Sequence, residues 1–76
     1  MNVLIKTTSG DDLICKNFTS ASIQWKNVQK PENMTSEEFD EKFLLYKEDI
    51  SAITFHGDRV FFLDGNDIEY IIISKS

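Results

Sequence analysis

Three side chains in this sequence could together do the chemistry of a thiol enzyme: Cys15, His56 and Asp58. A cysteine becomes a nucleophile when an imidazole takes its proton and a carboxylate orients that imidazole. Cys15 lies in an apolar run typical of a buried strand, and His56 lies in a turn signal. A small buried hydrophobe is the commoner role for such a cysteine, so we predict that the protein is not an enzyme.

Two further carboxylates, Asp64 and Asp67, are candidate ligands for a cation. They flank Gly65 and Asn66 in a typical turn sequence, where aspartate side chains usually accept backbone hydrogen bonds. The sequence contains no zinc-type ligand spacing, no phosphate-binding glycine loop and no nucleophile motif. We therefore expect neither a metal nor a cofactor.

Composition limits the fold to one compact domain. The chain has 76 residues, of which 41% are hydrophobic and 28% are charged, and its net charge is -5. This length supplies too little apolar surface for two cores or for a deep catalytic cleft. One cysteine cannot form an internal disulfide, and no apolar run has the length of a membrane span or signal peptide. We predict a single cytoplasmic domain over residues 1–76 that contacts no membrane.

Charge is distributed unevenly along the chain. Residues 32–49 hold seven acidic side chains against two lysines, a net of -5 that equals the charge of the whole molecule. One interpretation is a solvated helix face. The other is a docking surface for a basic protein partner, such as a nucleic-acid-binding enzyme, because clustered carboxylates steer association. The candidate partner-binding residues are Glu37, Asp40, Glu41 and Glu48.

A basic segment gives the alternative function. Residues 13–31 hold three lysines and no acid, and they include the only tryptophan. An aromatic ring beside lysines is typical of proteins that stack on single-stranded nucleic acid and contact its phosphates. A lone tryptophan on an alternating strand is also typical of a core residue. The candidate nucleic-acid-binding residues are Trp25, Lys26, Lys30, Tyr46 and Lys47.

Strands must position most of these side chains. Residues 3–8 and 13–18 predict a hairpin with Gly10 at positive φ in its turn, and residues 22–28 alternate like a half-buried strand. Residues 29–33 predict a loop. The last third predicts a three-stranded meander over residues 50–55, 59–63 and 68–73, with Gly and Asp in both turns.

One amphipathic helix is predicted between these two groups of strands. Thr35 and Glu38 have the spacing of a capping box, while Met34 and Phe39 have that of a hydrophobic staple. The helix either ends near Lys42 and continues as a short strand or runs on to residue 46. The element order predicts an α+β fold, either a mostly antiparallel sheet or a small barrel of five to six strands.

Two segments of the chain resemble the motifs of Sm-like small barrels, including the bacterial RNA chaperone of that family. Residues 3–27 are similar to the first motif, and residues 46–53 resemble the second, with tyrosine, lysine, isoleucine and serine in register. The resemblance implies a small barrel in an oligomeric ring that binds RNA, with Tyr46 and Lys47 in the RNA-site motif. The position that holds histidine in the family is Glu48, and an acidic helix separates the two motifs.

The last predicted strand bears on self-association. Residues 67–74 are rich in isoleucine. An unpaired edge of this composition can pair with the same edge of a second copy. Homo-oligomerisation is therefore a further expectation from the sequence.

Overall fold

The computed structural model describes residues 1–75, which form two antiparallel sheets and one α-helix. The strands and the helix are, in chain order, β1 (Asn2–Thr7), β2 (Asp12–Cys15), β3 (Ser20–Trp25), β4 (Glu32–Thr35), α1 (Ser36–Lys42), β5 (Ile50–His56), β6 (Val60–Asp64) and β7 (Ile68–Ser74). Two short 3-10 turns, Lys47–Asp49 and Gly65–Asp67, precede β5 and β7. The α+β class and the antiparallel arrangement are confirmed, and the seven strands exceed the predicted five to six.

The two sheets stay separate within the described residues, so they do not form a closed barrel. The first has the strand order β2-β1-β7, and the second has the order β4-β3-β5-β6. The link between β2 and β3 ties them together, because the Phe18 amide donates to the Met1 carbonyl and the Thr19 amide donates to the His56 carbonyl.

The pairing of β7 shows that the predicted three-stranded meander is wrong. The hairpin of β5 and β6 forms as expected. β7 then leaves β6 and pairs antiparallel with β1, with Val3 opposite Ile73 and Ile5 opposite Ile71. The buried Gly65 lies at this change of direction, and a Cβ atom added there would overlap the Ile50 carbonyl. The second turn therefore redirects the chain between sheets instead of closing a hairpin.

The core lies between the inner faces of both sheets. Val3, Ile5, Ile23, Ile53 and Phe55 are completely buried there. Alternation along β1 and β3 places one face of each strand inward, as the two-residue period requires.

The helix adds a large aromatic side chain to this core. Phe39 is buried, stacks on Phe43 with 4.3 Å between ring centroids, and meets the edges of Phe18 and Phe55. A buried aromatic group of this kind holds α1 against the sheets.

Both ends of α1 follow from local sequence. The capping box is confirmed: the Glu38 amide donates to Thr35 Oγ1, and the Thr35 amide donates to Glu38 Oε1, each at 3.2 Å. The helix ends at Lys42, and residues 43–46 form neither a helix nor the predicted short strand. Residues 32–35 form β4, part of which was predicted as loop.

Candidate interaction surface

The structure divides the predicted acidic surface. Glu37 and Glu41 are exposed on α1, one helical turn apart. Glu48 is also exposed but lies beyond the helix, in the first 3-10 turn. Asp40 is half-buried, and its Oδ2 lies 3.0 Å from Lys75 Nζ. Three of the four predicted carboxylates therefore share a helix, one of these three is in an ion pair, and the fourth belongs to another element.

Asp40 differs from the other predicted docking residues because it is in an ion pair. A hydrogen bond and charge attraction from this carboxylate raise the pKa of Lys75. Glu38 is also engaged, because its bond to the Thr35 backbone holds the pKa of its carboxyl below the ordinary value. Glu37, Glu41 and Glu48 form no ion pair with any of residues 1–75, so their charges remain available to a partner.

Two apolar side chains lie between Glu41 and Glu48 in the sequence. Leu44 is 61% exposed and Tyr46 is 55% exposed, both in the irregular segment at residues 43–46. The helix has already ended at Lys42, so Tyr46 does not continue the helical stripe of Phe39 and Phe43. The irregular backbone leaves Leu44 and Tyr46 facing outward. We name residues 43–46 the apolar bridge.

Shallow clefts open on both sides of the apolar bridge, and each has a volume of about 300 Å³. Phe43 and Leu44 line both of them. The first cleft is otherwise lined by Phe39, Leu45, Tyr70, Ile71 and Ile73. The second is otherwise lined by Trp25, Glu32, Met34, Lys42 and Tyr46. The bridge is thus a ridge between an apolar cleft and a mixed one.

Trp25 is held in place by an acidic neighbour. Its Nε1 donates to Glu32 Oε1 at 3.0 Å, and its ring centroid lies 6.4 Å from that of Phe43. The ring is only half-buried, so it lines the second cleft together with Tyr46. Both aromatic residues predicted for nucleic-acid binding therefore line one cleft, and the Glu32 carboxylate lines it too.

The predicted lysines are dispersed. Lys26 and Lys30 are exposed in the connection between β3 and β4, while Lys47 is half-buried in the first 3-10 turn. Lys42, which the alternative did not include, is the lysine that lines the second cleft beside Glu32. A phosphate placed there would face one positive and one negative side chain.

Cys15 is completely buried between sheet residues and the turn after β5. Its Sγ donates weakly to the Arg59 carbonyl at 3.9 Å. Burial raises the pKa of the thiol, and the nearby Asp58 carboxylate raises it further. Asp58 itself accepts hydrogen bonds from the Asn17 side-chain amide. These contacts disfavour the thiolate that a nucleophilic cysteine needs.

Of the two turn carboxylates, Asp64 has the expected role in backbone hydrogen bonding. Asp64 caps the second 3-10 turn, because its Oδ1 accepts from the Asn66 amide at 2.9 Å. Within residues 1–75, no group of three or more His, Cys, Asp or Glu side chains is arranged to hold a metal ion.

Sequence reasoning missed Leu44, Glu32 and Lys75 as parts of this surface. Leu44 falls outside the apolar stripe of the helix, which is the signal in the sequence for its exposure. The contacts of Glu32 with Trp25 and of Lys75 with Asp40 join residues from separate elements. No local pattern encodes them.

Comparison with known proteins gives no match to any family model, curated protein or solved structure. Among residues 1–75, no helix is both long and apolar enough to cross a membrane.

Proposed function

We propose that this protein is a non-enzymatic interaction module that binds a basic protein partner through the apolar bridge and the acidic residues around it. One observation carries the proposal. Leu44 and Tyr46 are both more than half exposed, and free carboxylates lie just before them in Glu41 and just after them in Glu48. Large exposed apolar side chains with a charged rim are the usual anatomy of a protein-binding surface.

The apolar side chains and the carboxylates of this surface contribute differently to binding. Burial of Leu44 and Tyr46 against a partner supplies affinity, because apolar area leaves water and aromatic residues are favoured anchors. Exposed carboxylates at Glu37, Glu41 and Glu48 attract a basic surface and oppose an acidic one, which affects association rate and specificity. The docking surface that we propose therefore differs from the four-carboxylate face predicted from sequence, because it leaves out Asp40 and is partly apolar.

Charge also narrows the class of partner. A net charge of -5 on 76 residues opposes direct binding to phosphate backbones and favours proteins that carry basic channels, such as nucleic-acid enzymes. An acidic ligand in such a channel competes with the nucleic acid and inhibits the enzyme. Small accessory proteins of phages and mobile elements are similar in size and charge, so inhibition of this kind is the regulatory role we propose.

The alternative function is an Sm-like oligomer that binds RNA or single-stranded DNA. Its support is the cleft that Trp25 and Tyr46 line together, where a base could stack. Glu32 in the same cleft opposes phosphate binding. The alternative predicts an affinity for single-stranded RNA that falls steeply with salt, because bound counterions are released.

Affinity capture from lysate of the source organism, with and without nuclease treatment, tests the proposal. We expect the wild-type protein to retain a basic protein, and we expect Glu37→Gln/Glu41→Gln and Leu44→Ser/Tyr46→Ser each to reduce its affinity by at least about tenfold. Glu69→Lys is the matched charge control, since it also changes the net charge from -5 to -3 but lies on β7.

The Glu69→Lys control distinguishes the loss of a specific docking surface from a general effect of net charge. Equal loss of binding in Glu69→Lys and in the double glutamine variant would contradict the proposed surface. Retention of RNA, with proteins that disappear after nuclease treatment, would instead support the nucleic-acid alternative.

A further inference from the structure

The outer face of the first sheet carries an apolar row. Leu4 lies directly opposite Ile14 on β2 and Ile72 on β7, so the three side chains form a line across all three strands. Ile14 is 53% exposed and Ile72 is 50% exposed. Antiparallel sheets that face water usually carry polar side chains at such outward positions. This row is therefore apolar surface that the folded chain leaves uncovered.

Opposite charges mark the two ends of this face. Towards the β1–β2 turn, Asp11 and Asp12 outweigh Lys6, and Lys6 Nζ lies 3.1 Å from Asp12 Oδ1. Towards the other end, Lys16 and Arg59 outweigh Asp58 and share a cleft of about 320 Å³ with Ile14. Glu69 on β7 also acts on Lys6, so the first end has a net charge of -2 (three acids against one lysine), while the second has +1. The face as a whole therefore carries -1, a small part of the molecule's -5.

We propose that this face binds a second copy of the same chain, as a weak twofold dimer independent of the partner surface proposed above. A face with one acidic and one basic end is complementary to itself when reversed. Two copies that each carry -5 can approach most easily through a face that carries little of that charge.

Electrostatics selects between the two twofold arrangements. If the axis runs along the strands, the acidic end of one copy faces the acidic end of the other, and the like charges repel. If the axis crosses the strands along the apolar row, Leu4 meets Leu4 of the second copy, while Asp12 meets its Lys16. Two sheets stacked face to face keep their strands within about 30° of each other, so both contacts can form together. The geometry therefore favours the crossed-axis dimer.

The size of the face sets the strength of this dimer. Three strands about 4.8 Å apart and about 20 Å long give a projected area of roughly 300 Å². A standard specific interface buries about 800 Å² on each partner. A face of this size belongs to the transient class, so dimerisation depends on concentration.

Sedimentation velocity over a concentration series tests the proposal. We expect wild-type protein to shift from monomer to dimer as its concentration rises. Ile14→Thr/Ile72→Thr keeps β-branched side chains and should weaken the dimer by at least about tenfold. Val60→Thr is the matched control, because Val60 is 62% exposed on the other sheet, and this variant should dimerise normally. Far-ultraviolet circular dichroism confirms that each variant folds.

Charge variants test the orientation. Asp12→Lys and Lys16→Glu should each dimerise less than the wild type, because both reversals place like charges together across the interface. An equimolar mixture of the two should form a heterodimer, since each variant supplies the charge that the other then needs. Wild-type protein that stays monomeric throughout, a dimer insensitive to Ile14→Thr/Ile72→Thr, or a mixture with no heterodimer would each overturn the proposal.

Discussion

Cys15 is enclosed by the turn that joins β5 to β6. Its Sγ lies near the Arg59 carbonyl, and a Cβ atom on Gly57 would come within 2.8 Å of that sulfur. The pKa of the thiol is raised, first by burial and then by Asp58. Only the thiolate attacks electrophiles, so these neighbours suppress reaction at neutral pH.

We expect native Cys15 to react with a thiol reagent at neutral pH much more slowly than the unfolded chain. The measurement is the rate of absorbance change with a chromogenic disulfide, with and without denaturant. Free cysteine in each buffer provides the control for reagent reactivity. A native rate equal to that of free cysteine would show an accessible thiol and revive the thiol-enzyme hypothesis.

Gly65 occupies a position where a side chain has no room. It is buried in the second 3-10 turn, and an added Cβ would overlap the Ile50 carbonyl. Gly65→Ala should therefore lower the free energy of unfolding by about 1 to 3 kcal/mol, as measured by urea denaturation. Asn66→Ala, in the exposed part of the same turn, should change it by no more than about 0.5 kcal/mol. Equal effects would show that backbone packing at Gly65 is not the cause.

At the scale of elements, α1 depends on its first turn because it has only seven residues. Its backbone amides at the N-terminus lack helical partners, and the capping box satisfies two of them. Such a short helix is unstable on its own. Packing of Phe39 and the cap together therefore determine where the apolar bridge begins.

The cap makes stability depend on pH. Hydrogen bonding to Thr35 lowers the pKa of Glu38 in the folded state. The resulting stabilisation is present above the pKa of the unfolded carboxyl, and it is lost as pH falls through the folded-state pKa. We expect wild-type protein to be more stable than Glu38→Gln at neutral pH, with the difference disappearing on acidification.

Thermal unfolding across a pH series measures this difference. Glu37→Gln is the matched control, because it removes a carboxylate from the same turn outside the capping box. A constant difference between wild type and Glu38→Gln down to the lowest pH would contradict the assigned role.

Elements whose signals are local were predictable from sequence. The β1–β2 turn has Gly10 at φ 97°, the capping box forms, and β5 and β6 pair as a hairpin. β4 was not predicted, because residues 32–35 become a strand only by pairing with β3. The exposure of Glu37 and Glu41 follows from helical periodicity, whereas the neutralisation of Asp40 requires Lys75, which is remote in sequence.

At the scale of the whole molecule, the topology also depends on contacts between segments that are remote in sequence. A chain that alternates strands and glycine turns predicts a meander, since neighbours in sequence usually pair. Here β7 instead completes the first sheet, and the two outer faces that result differ in character. The self-complementary face proposed for dimerisation exists only because Ile72 is brought beside Leu4.

Pairing of β1 with β7 also affects how the protein is made. On the ribosome, Val3 and Ile5 emerge well before the strand that covers their edge. Loop closure between residues this far apart in sequence opposes the pairing, which favours slow folding. The nascent chain therefore carries an unfinished first sheet until residues near Ile73 have left the exit tunnel.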